Sequence, residues 1–357
     1  MRAGSVLLLL LWGTRVVSAW EHVSSGELKR VVEIGKPVLV AFVKPEEPAS
    51  AALEEEWLSA AASINNNSQQ QQLLSIDCSL PDSDCAAQQH IKPYPSILLL
   101  QLNKPVATYR GLRRGDSFLN FFARRTRTPF VVEGLDTAAL AAFKGADEMV
   151  FVAYLDLDTD RELAGVFEDV ARGYRDEFSF GMVGDAEVTR KMGVSTPAVV
   201  CYRLGEVDGV KLEGRFGVGG LGRWVEAVSR DAIEESTVLN WGRNMEDGWP
   251  IVYVFGSTAS ERQKLRKNLY TLAQSHDSFT WVVVDPFQFP NWMDRLGRDI
   301  FPAVAAYRPS GDRVYSYPKR QAFTSDLVEQ WLLEVQEDHI KHWTPPVKGE
   351  STSHDEL

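Results

Sequence analysis

Three cysteines are the residues of this chain best suited to chemistry, because a thiolate can attack a disulfide and a second thiol can release the product. Cys78 and Cys85 enclose SLPDSD, a loop whose Pro, Asp and Ser residues can turn the chain back on itself. In an oxidising compartment such a close pair predicts a structural disulfide. The alternative is a transferable redox couple, which would lack both the short CxxC spacing and the helix start that activate a thiolate.

The third cysteine, Cys201, stands alone in the apolar run PAVVCYRL, which predicts a strand. A lone cysteine in a strand usually packs as a small buried hydrophobe. The alternative role is a thiol that traps client proteins, but no activating charge stands close to it in the sequence.

No other group of residues has the pattern of a metal or cofactor site. His339 and His342 are one helical turn apart, and we interpret them as part of a solvated helix end. The GVGGLG run at 217–222 lacks the Lys-Ser/Thr pair that follows a phosphate-binding loop. We therefore predict no metal and no cofactor. Asn66 begins the sequon Asn-Asn-Ser, which predicts a site for N-glycosylation.

Both ends of the chain resemble targeting signals. Residues 1–19 combine a positive start, an apolar core too short to span a bilayer and small residues at a cleavage site, which predicts a secretory signal peptide rather than a membrane anchor. We interpret 344–357 as a flexible tail. The last four residues match an address read by a receptor that returns proteins to the endoplasmic reticulum: His354, Asp355, Glu356 and Leu357. We therefore expect a resident of the reticulum lumen.

Length and charge limit the remaining possibilities. The chain has 357 residues, which predicts two or three domains, and a formal net charge of -11, which argues against nucleic acid as a partner. Acidic residues are interspersed with basic ones rather than gathered in long runs, so a calcium-buffering protein is disfavoured. Beyond the N-terminal segment no stretch predicts a membrane span.

A pattern of strand, helix and proline recurs three times, at intervals of about one hundred residues. The three units begin with similar apolar strands: KPVLVAFV at 36–43, EMVFVAYL at 148–155 and WPIVYVFG at 249–256. About fifty residues later a proline opens a second apolar strand in each unit, at Pro95, Pro197 and Pro302. A shorter strand lies between the two, and a hairpin strand and a closing helix follow them.

This order of elements, with a proline at the start of the hairpin strand, resembles the thioredoxin fold. The resemblance implies cis peptide bonds before the three prolines and a proline loop that faces the start of the first long helix; the alternative is that each proline only marks a strand edge. The fold class is then α/β, with three tandem thioredoxin-like domains, each a mixed central sheet flanked by helices. We place these domains at 20–128, 129–235 and 236–343.

The signal peptide, the tandem units and the HDEL ending together resemble the protein disulfide isomerase family, over about residues 20–343. The first unit corresponds to a catalytic-type domain of that family and the other two to non-catalytic ones. VLVAFVKPEEPASAALEEEW is similar to the family's active-site stretch. The paired cysteines after the next strand are similar to those of fungal-type isomerases, where the bridge is structural, and this supports a disulfide between Cys78 and Cys85.

The first unit lacks the family's two redox cysteines. Glu47 and Ser50 occupy their positions, with Pro48 and Ala49 between them. A carboxylate and a hydroxyl can neither attack a disulfide nor resolve a mixed one. Ala41 also stands where catalytic relatives often carry a buried glutamate that moves the proton. The resemblance therefore implies a degenerate site without dithiol chemistry.

The third unit supplies candidate binding residues instead. In this family its counterpart often carries an apolar groove for unfolded polypeptide. Here Phe287, Phe289, Trp292 and Met293 fall in a loop and helix start, and we predict that they bind peptide; the alternative is that they cap the domain core. Two weaker candidates precede the unit's first strand, Trp241 and Trp249.

The leading hypothesis is a redox-inactive chaperone or adaptor of the reticulum lumen. Its partners would be unfolded polypeptide clients or one dedicated lumenal protein, besides the retrieval receptor. A second hypothesis, from another class, is a thiol-disulfide oxidoreductase or isomerase that uses Cys78 and Cys85.

Overall fold

The computed structural model describes residues 20–67, 73–85, 91–102, 104–127, 129, 131–206, 208–246, 248–296, 300–318 and 321–343. These residues form three mixed β-sheets, one in each repeated unit, with helices on their faces. In the ranges described, no helix has both the length and the apolar character that a bilayer crossing requires. The predicted signal peptide and the predicted C-terminal tail lie outside the described residues.

The first sheet has the strand order β2-β1-β3-β4. Its unit contains α1 (Ser25–Glu33), β1 (Val38–Val43), α2 (Pro48–Ala51), α3 (Glu54–Asn67), β2 (Leu73–Asp77), β3 (Ser96–Gln101), β4 (Lys104–Thr108) and α4 (Gly115–Thr126). All six residues of β1 are buried, because helices cover both faces of the central strand. β1 runs parallel to β2 and antiparallel to β3. Between β2 and β3 the described residues 78–85 form a loop that begins and ends with a cysteine.

The second and third sheets each have five strands, in the orders β5-β7-β6-β8-β9 and β10-β12-β11-β13-β14. The second unit contains β5 (Val131–Val132), α5 (Thr137–Lys144), β6 (Met149–Tyr154), α6 (Arg161–Tyr174), β7 (Ser179–Val183), α7 (Ala186–Lys191), β8 (Ala198–Arg203), β9 (Val210–Glu213) and α8 (Val218–Ser229). The third contains β10 (Glu234–Glu235), α9 (Trp241–Glu246), β11 (Ile251–Phe255), α10 (Ala259–Ser275), β12 (Thr280–Val284), α11 (Pro290–Leu296), β13 (Ala303–Arg308), β14 (Arg313–Ser316) and α12 (Ser325–Gln336).

The short strand β10 shifts one predicted boundary. Glu234 and Glu235 pair with β12 and so belong to the third sheet, whereas we assigned them to the end of the second domain. The two residues are glutamates without any apolar alternation, so the sequence does not mark them as a strand. In the first unit the equivalent place beside β2 is taken by an extended segment, in which the Val23 N–H donates to the Ser75 carbonyl oxygen at 2.9 Å.

Each central strand packs on both faces. In β6 the side chains of Phe151 and Ala153 belong to one buried cluster, together with Phe167 of α6. The alternate side chains, such as Val152 and Tyr154, belong to a second cluster on the opposite face. The alternation follows from the two-residue period of a strand, and it explains why the whole run is apolar.

A buried aspartate joins the first two units. Asp147 accepts hydrogen bonds from Asn120 Nδ2 at 2.9 Å and from Ser179 Oγ at 2.9 Å. It also pairs with the guanidinium of Arg124, and both side chains are almost fully buried. One carboxylate thus satisfies donors from α4 and from β7, which fixes the packing of the first unit against the second.

Candidate functional site

The loop between β1 and α2 forms the mouth of the first unit. Glu47 is the N-cap residue of α2, and Ser50 is fully buried one turn later. The Lys44 N–H donates to Ser50 Oγ at 3.0 Å, so the hydroxyl closes the loop. The Lys44 ammonium lies 3.4 Å from Glu47 Oε1. An ion pair and a buried hydroxyl therefore occupy the two positions where a dithiol would react.

The proline loop lies beside this mouth. The peptide bond between Tyr94 and Pro95 is cis, and the Tyr94 ring centroid is 5.2 Å from Lys44 Nζ. The bonds before Pro197 and Pro302 are also cis. Ala41, fully buried under the mouth, offers no group that could move a proton. The arrangement keeps a helix start and a proline loop together, but it holds no nucleophile of low pKa.

Cys78 and Cys85 are joined by a disulfide, with their Cα atoms 5.5 Å apart. Cys78 follows β2 directly, and its N–H donates to the Val43 carbonyl oxygen at 2.7 Å. Cys85 is only 1% exposed and packs in a buried cluster with residues such as Ile91. A thiolate must reach a disulfide sulfur to exchange with it, so this burial favours a structural bond.

Removing this disulfide is expected to weaken the fold moderately. The two cysteines are 7 positions apart in the sequence. Closing so short a loop lowers the conformational entropy of the unfolded chain, which stabilises the fold by about 2 kcal/mol. Cys78→Ser together with Cys85→Ser should lower the free energy of unfolding by that amount, measured by urea denaturation. Leu80→Ser is the matched control, because Leu80 is a 52% exposed residue of the same loop. An unchanged denaturation midpoint in the double variant would contradict a stabilising role.

Cys201 lies in β8 and is 2% exposed. It packs against β6, where Phe151 is its antiparallel partner. Burial raises the pKa of the Cys201 thiol to about 12, so almost no thiolate forms at neutral pH. This environment argues against the client-trapping role that the sequence left open.

An aromatic cluster lies on the third unit, where α9, the loop after β12 and the start of α11 meet. The Trp241 ring stacks on Phe289 with 4.4 Å between centroids, and it lies 5.1 Å from Trp292. Trp292 also lies 5.7 Å from Tyr253 in β11. The rings of Trp241, Phe289 and Trp292 are half-buried and pack against the core of the third unit. We call these three residues the aromatic cluster.

The predicted peptide-binding residues differ in their exposure. Met293 is 8% exposed and packs in the core of the third unit beside Leu296, which agrees with the core-packing alternative for this residue. The reason is helical geometry, since the residue after Trp292 in α11 turns towards the sheet. Phe287 is half-buried beside the cluster. Trp241, a weaker candidate from sequence, lies at the centre of the cluster, while Trp249 is 52% exposed.

The remaining predicted positions are the glycosylation site and the two histidines near the C-terminal end. Asn66 lies in the last turn of α3, and the Ser68 of its sequon is outside the described residues. His339 and His342 are exposed and follow shortly after the end of α12. Nδ1 of His339 lies 3.0 Å from Oε2 of Glu337. Across the part of the chain that the structure describes, no group of three or more His, Cys, Asp or Glu side chains has a metal-binding arrangement.

A cavity of about 450 Å³ lies where the three units meet, and the sequence did not predict it. Many of the charged side chains lining it pair with one another across units. Arg114 lies 2.6 Å from Glu148, and Arg243 lies 3.1 Å from Glu177. Burial raises the pKa of Glu177, while Arg243 opposes the rise. Each pair joins residues of different units, so nothing in the linear sequence indicated it.

Comparison with known proteins agrees with this architecture. A family model described as a thioredoxin-like domain matches residues 157–334. The protein disulfide-isomerase of Aspergillus niger is 24% identical over 281 residues, which cover 78% of this chain and 53% of that protein. The protein disulfide-isomerase of Humicola insolens is 25% identical over 281 residues, which cover 78% of this chain and 54% of that one. The chain thus spans about half the length of the curated relatives it matches.

Among solved structures, form II of human ERp44 is 18% identical, with a TM-score of 0.42 over 91% of this chain and 90% of that one. The bb fragment of ERp72 is 15% identical, with a TM-score of 0.46 over 59% of this chain and 98% of that one. The three mixed sheets, the matched domain model and the similarity to two curated isomerases agree with one another. The chain is a member of the protein disulfide isomerase family, built from thioredoxin-like domains.

Proposed function

We propose that this chain is a chaperone or adaptor of the endoplasmic reticulum lumen that binds unfolded polypeptide, or one dedicated partner, without dithiol redox catalysis. The observation that carries the proposal is the mouth of the first unit. Ser50 is buried and accepts the Lys44 N–H, while Glu47 pairs with the Lys44 ammonium. Neither side chain can form or resolve a mixed disulfide, so the retained fold is available only for binding.

The three cysteines support the same proposal. Cys85 is buried within its disulfide, and the Cys201 thiol is buried with a raised pKa. A redox couple needs accessible sulfur and a stabilised thiolate; Cys78 is half-buried, but its bonded partner Cys85 is buried, and burial disfavours the Cys201 thiolate. The alternative oxidoreductase that uses Cys78 and Cys85 is therefore the weaker proposal.

The aromatic cluster is the proposed contact for polypeptide. Its three rings are large and only half-buried, with Phe289 stacked on Trp241 at 4.4 Å between centroids and Trp292 tilted against Trp241 at 5.1 Å. Stacked aromatic faces can accept apolar side chains of many shapes, because the contact area is broad and few directional bonds are needed. Arg295, with its guanidinium carbon 5.1 Å from the Trp292 ring centroid, borders the cluster and is paired with Asp312.

The proposed location rests on the two ends of the sequence. The signal-type leader at 1–19 supports entry into the secretory pathway, and the HDEL ending supports retrieval to the reticulum. An oxidising lumen is also the compartment in which a structural disulfide such as Cys78–Cys85 persists.

Binding of the full chain to an unfolded probe tests the proposal. Fluorescently labelled, S-carboxymethylated α-lactalbumin should bind with a micromolar dissociation constant, measured by fluorescence anisotropy, whereas native α-lactalbumin should not bind. Affinity capture with the HDEL ending intact then separates the two forms of the proposal. Many unfolded clients indicate a chaperone, and one stoichiometric partner indicates an adaptor. A chain that binds no polypeptide in either assay contradicts both.

A further inference from the structure

We propose that Asp285 is a positioning residue, which holds the loop of the aromatic cluster in place and couples it to the docking of the first unit through Arg113. This proposal rests on the proposed polypeptide-binding function of the third unit. It follows from five contacts that converge on one short loop, between the end of β12 and the start of α11.

The first two contacts shape the loop itself. Oδ1 of Asp285 accepts the N–H of Phe287 at 2.9 Å. The carbonyl oxygen of Asp285 accepts the N–H of Gln288 at 3.1 Å. Together these bonds form a tight turn that places Phe289 for its stacking contact on Trp241, with 4.4 Å between ring centroids. The geometry of the cluster therefore depends on the carboxylate of Asp285.

The second oxygen of the same carboxylate faces two arginines. Oδ2 of Asp285 lies 3.7 Å from Nη2 of Arg262, which belongs to the third unit, and 3.9 Å from Nη1 of Arg113, which belongs to the first. Arg262 has its own partner, since its Nε donates to Glu235 Oε1 at 2.6 Å. The Arg113 side chain is only 13% exposed. Docking of the first unit therefore places the Arg113 guanidinium against the carboxylate of Asp285.

A further contact runs beside this ion pair. Nε2 of Gln288 donates to the carbonyl oxygen of Gly111 at 3.0 Å. Gly111 and Arg113 lie in the same connection between β4 and α4 of the first unit. One loop of the third unit thus contacts one loop of the first at two adjacent points, by a charge and by a hydrogen bond.

The charges around Asp285 balance when the first unit is docked. Two arginines and two carboxylates form a neutral buried group: Arg113, Arg262, Glu235 and Asp285. Burial lowers the pKa of Arg113, and the Asp285 charge opposes that change. In the docked state Arg113 pays the cost of losing water. In the separated state Arg113 would regain water, but Arg262 would face the two carboxylates Glu235 and Asp285 without the second arginine. If docking of the first unit orders the loop, an ordered loop must favour docking by the same free energy, because such a coupling is reciprocal.

Hydrogen exchange measures the coupling without any ligand. In the full chain, Arg113→Gln should speed amide exchange at Phe287, Gln288 and Phe289 by about fivefold or more, because Asp285 loses the positive charge that the first unit supplies. Arg110→Gln is the matched control, since Arg110 is an exposed arginine of the same connection. The same variant pair is then tested for binding to carboxymethylated α-lactalbumin, where Arg113→Gln should weaken affinity by about 3- to 10-fold and Arg110→Gln should not.

The two readouts separate the coupling from the function on which it rests. Unchanged exchange at the three amides in Arg113→Gln overturns the coupling, whatever the chain binds. Faster exchange in both arginine variants also overturns it, because the effect would not be specific to the contact with Asp285. Faster exchange in Arg113→Gln alone, together with no polypeptide binding by the unsubstituted chain, would support the coupling and contradict the proposed function. Faster exchange in Arg113→Gln that extends through the third unit, without localising to these three amides, would indicate a general loss of stability and would also overturn the coupling.

Discussion

Phe289→Ser together with Trp292→Ser is expected to weaken binding of unfolded polypeptide by more than about tenfold while the chain remains folded. Both rings belong to the aromatic cluster: Phe289 stacks on Trp241, and Trp292 contacts Trp241 in a tilted arrangement. Each aromatic contact contributes about 0.5–1.5 kcal/mol beyond its buried area, and the substitution removes both rings from any ligand. The loss therefore combines the direct contact with the disordering of Trp241.

The stability of this double variant should fall less than its affinity. The two rings pack only at the edge of the core, around buried residues such as Leu296, so their removal opens the surface rather than an internal cavity. Fluorescence anisotropy measures the affinity, and circular dichroism verifies the fold. Leu333→Ser is the matched control, because Leu333 is a 49% exposed apolar residue of the same unit. Equal affinity in the double variant and in the control would remove the cluster as the binding surface.

Asp147→Ala is expected to have the largest effect on stability, a loss of about 3–5 kcal/mol in the free energy of unfolding. The carboxylate accepts hydrogen bonds from Asn120 and Ser179 and pairs with the buried guanidinium of Arg124. Its removal leaves that guanidinium uncompensated at the junction of two units. Buried charges without a partner cost far more than the pair contributes when it is intact.

The corresponding surface pair provides a control for this substitution. Glu187 lies 2.9 Å from Lys191 on α7, with both side chains more than half exposed, so Glu187→Ala should change the unfolding free energy by less than about 0.5 kcal/mol. Chemical denaturation followed by tryptophan fluorescence measures both variants. A loss below about 1 kcal/mol for Asp147→Ala would show that the buried network does not hold the first two units together.

The parts of the fold that the sequence predicts are those with a strong local pattern. The central strands β1, β6 and β11 are continuous apolar runs because both of their faces are buried, and such runs are visible without any structure. β10 was not predicted, because two adjacent glutamates form a strand only through their pairing with β12. Its existence is a long-range effect that local periodicity does not contain.

The candidate site divides in the same way. The identities of Glu47 and Ser50 follow from the sequence, but the bond from the Lys44 N–H to Ser50 Oγ appears only in three dimensions. The burial of Met293 beside the half-buried Trp292 was not predicted, because neighbouring residues on a helix face different directions and only the packing decides which one is buried. Trp241 joins the cluster through its contact with Phe289, which is distant in the sequence. The sequence identifies both aromatic residues but not the contact between them.

Thiol turnover by the full chain tests the central claim most directly. Reduction of insulin by dithiothreitol should proceed at the same rate with and without this protein, because no accessible thiolate stands at the mouth of the first unit. Cys78→Ser should behave identically to the unsubstituted chain. Acceleration of insulin reduction to the rate of an ordinary disulfide isomerase would contradict the proposed function, and loss of that acceleration in Cys78→Ser would assign the chemistry to the Cys78–Cys85 pair.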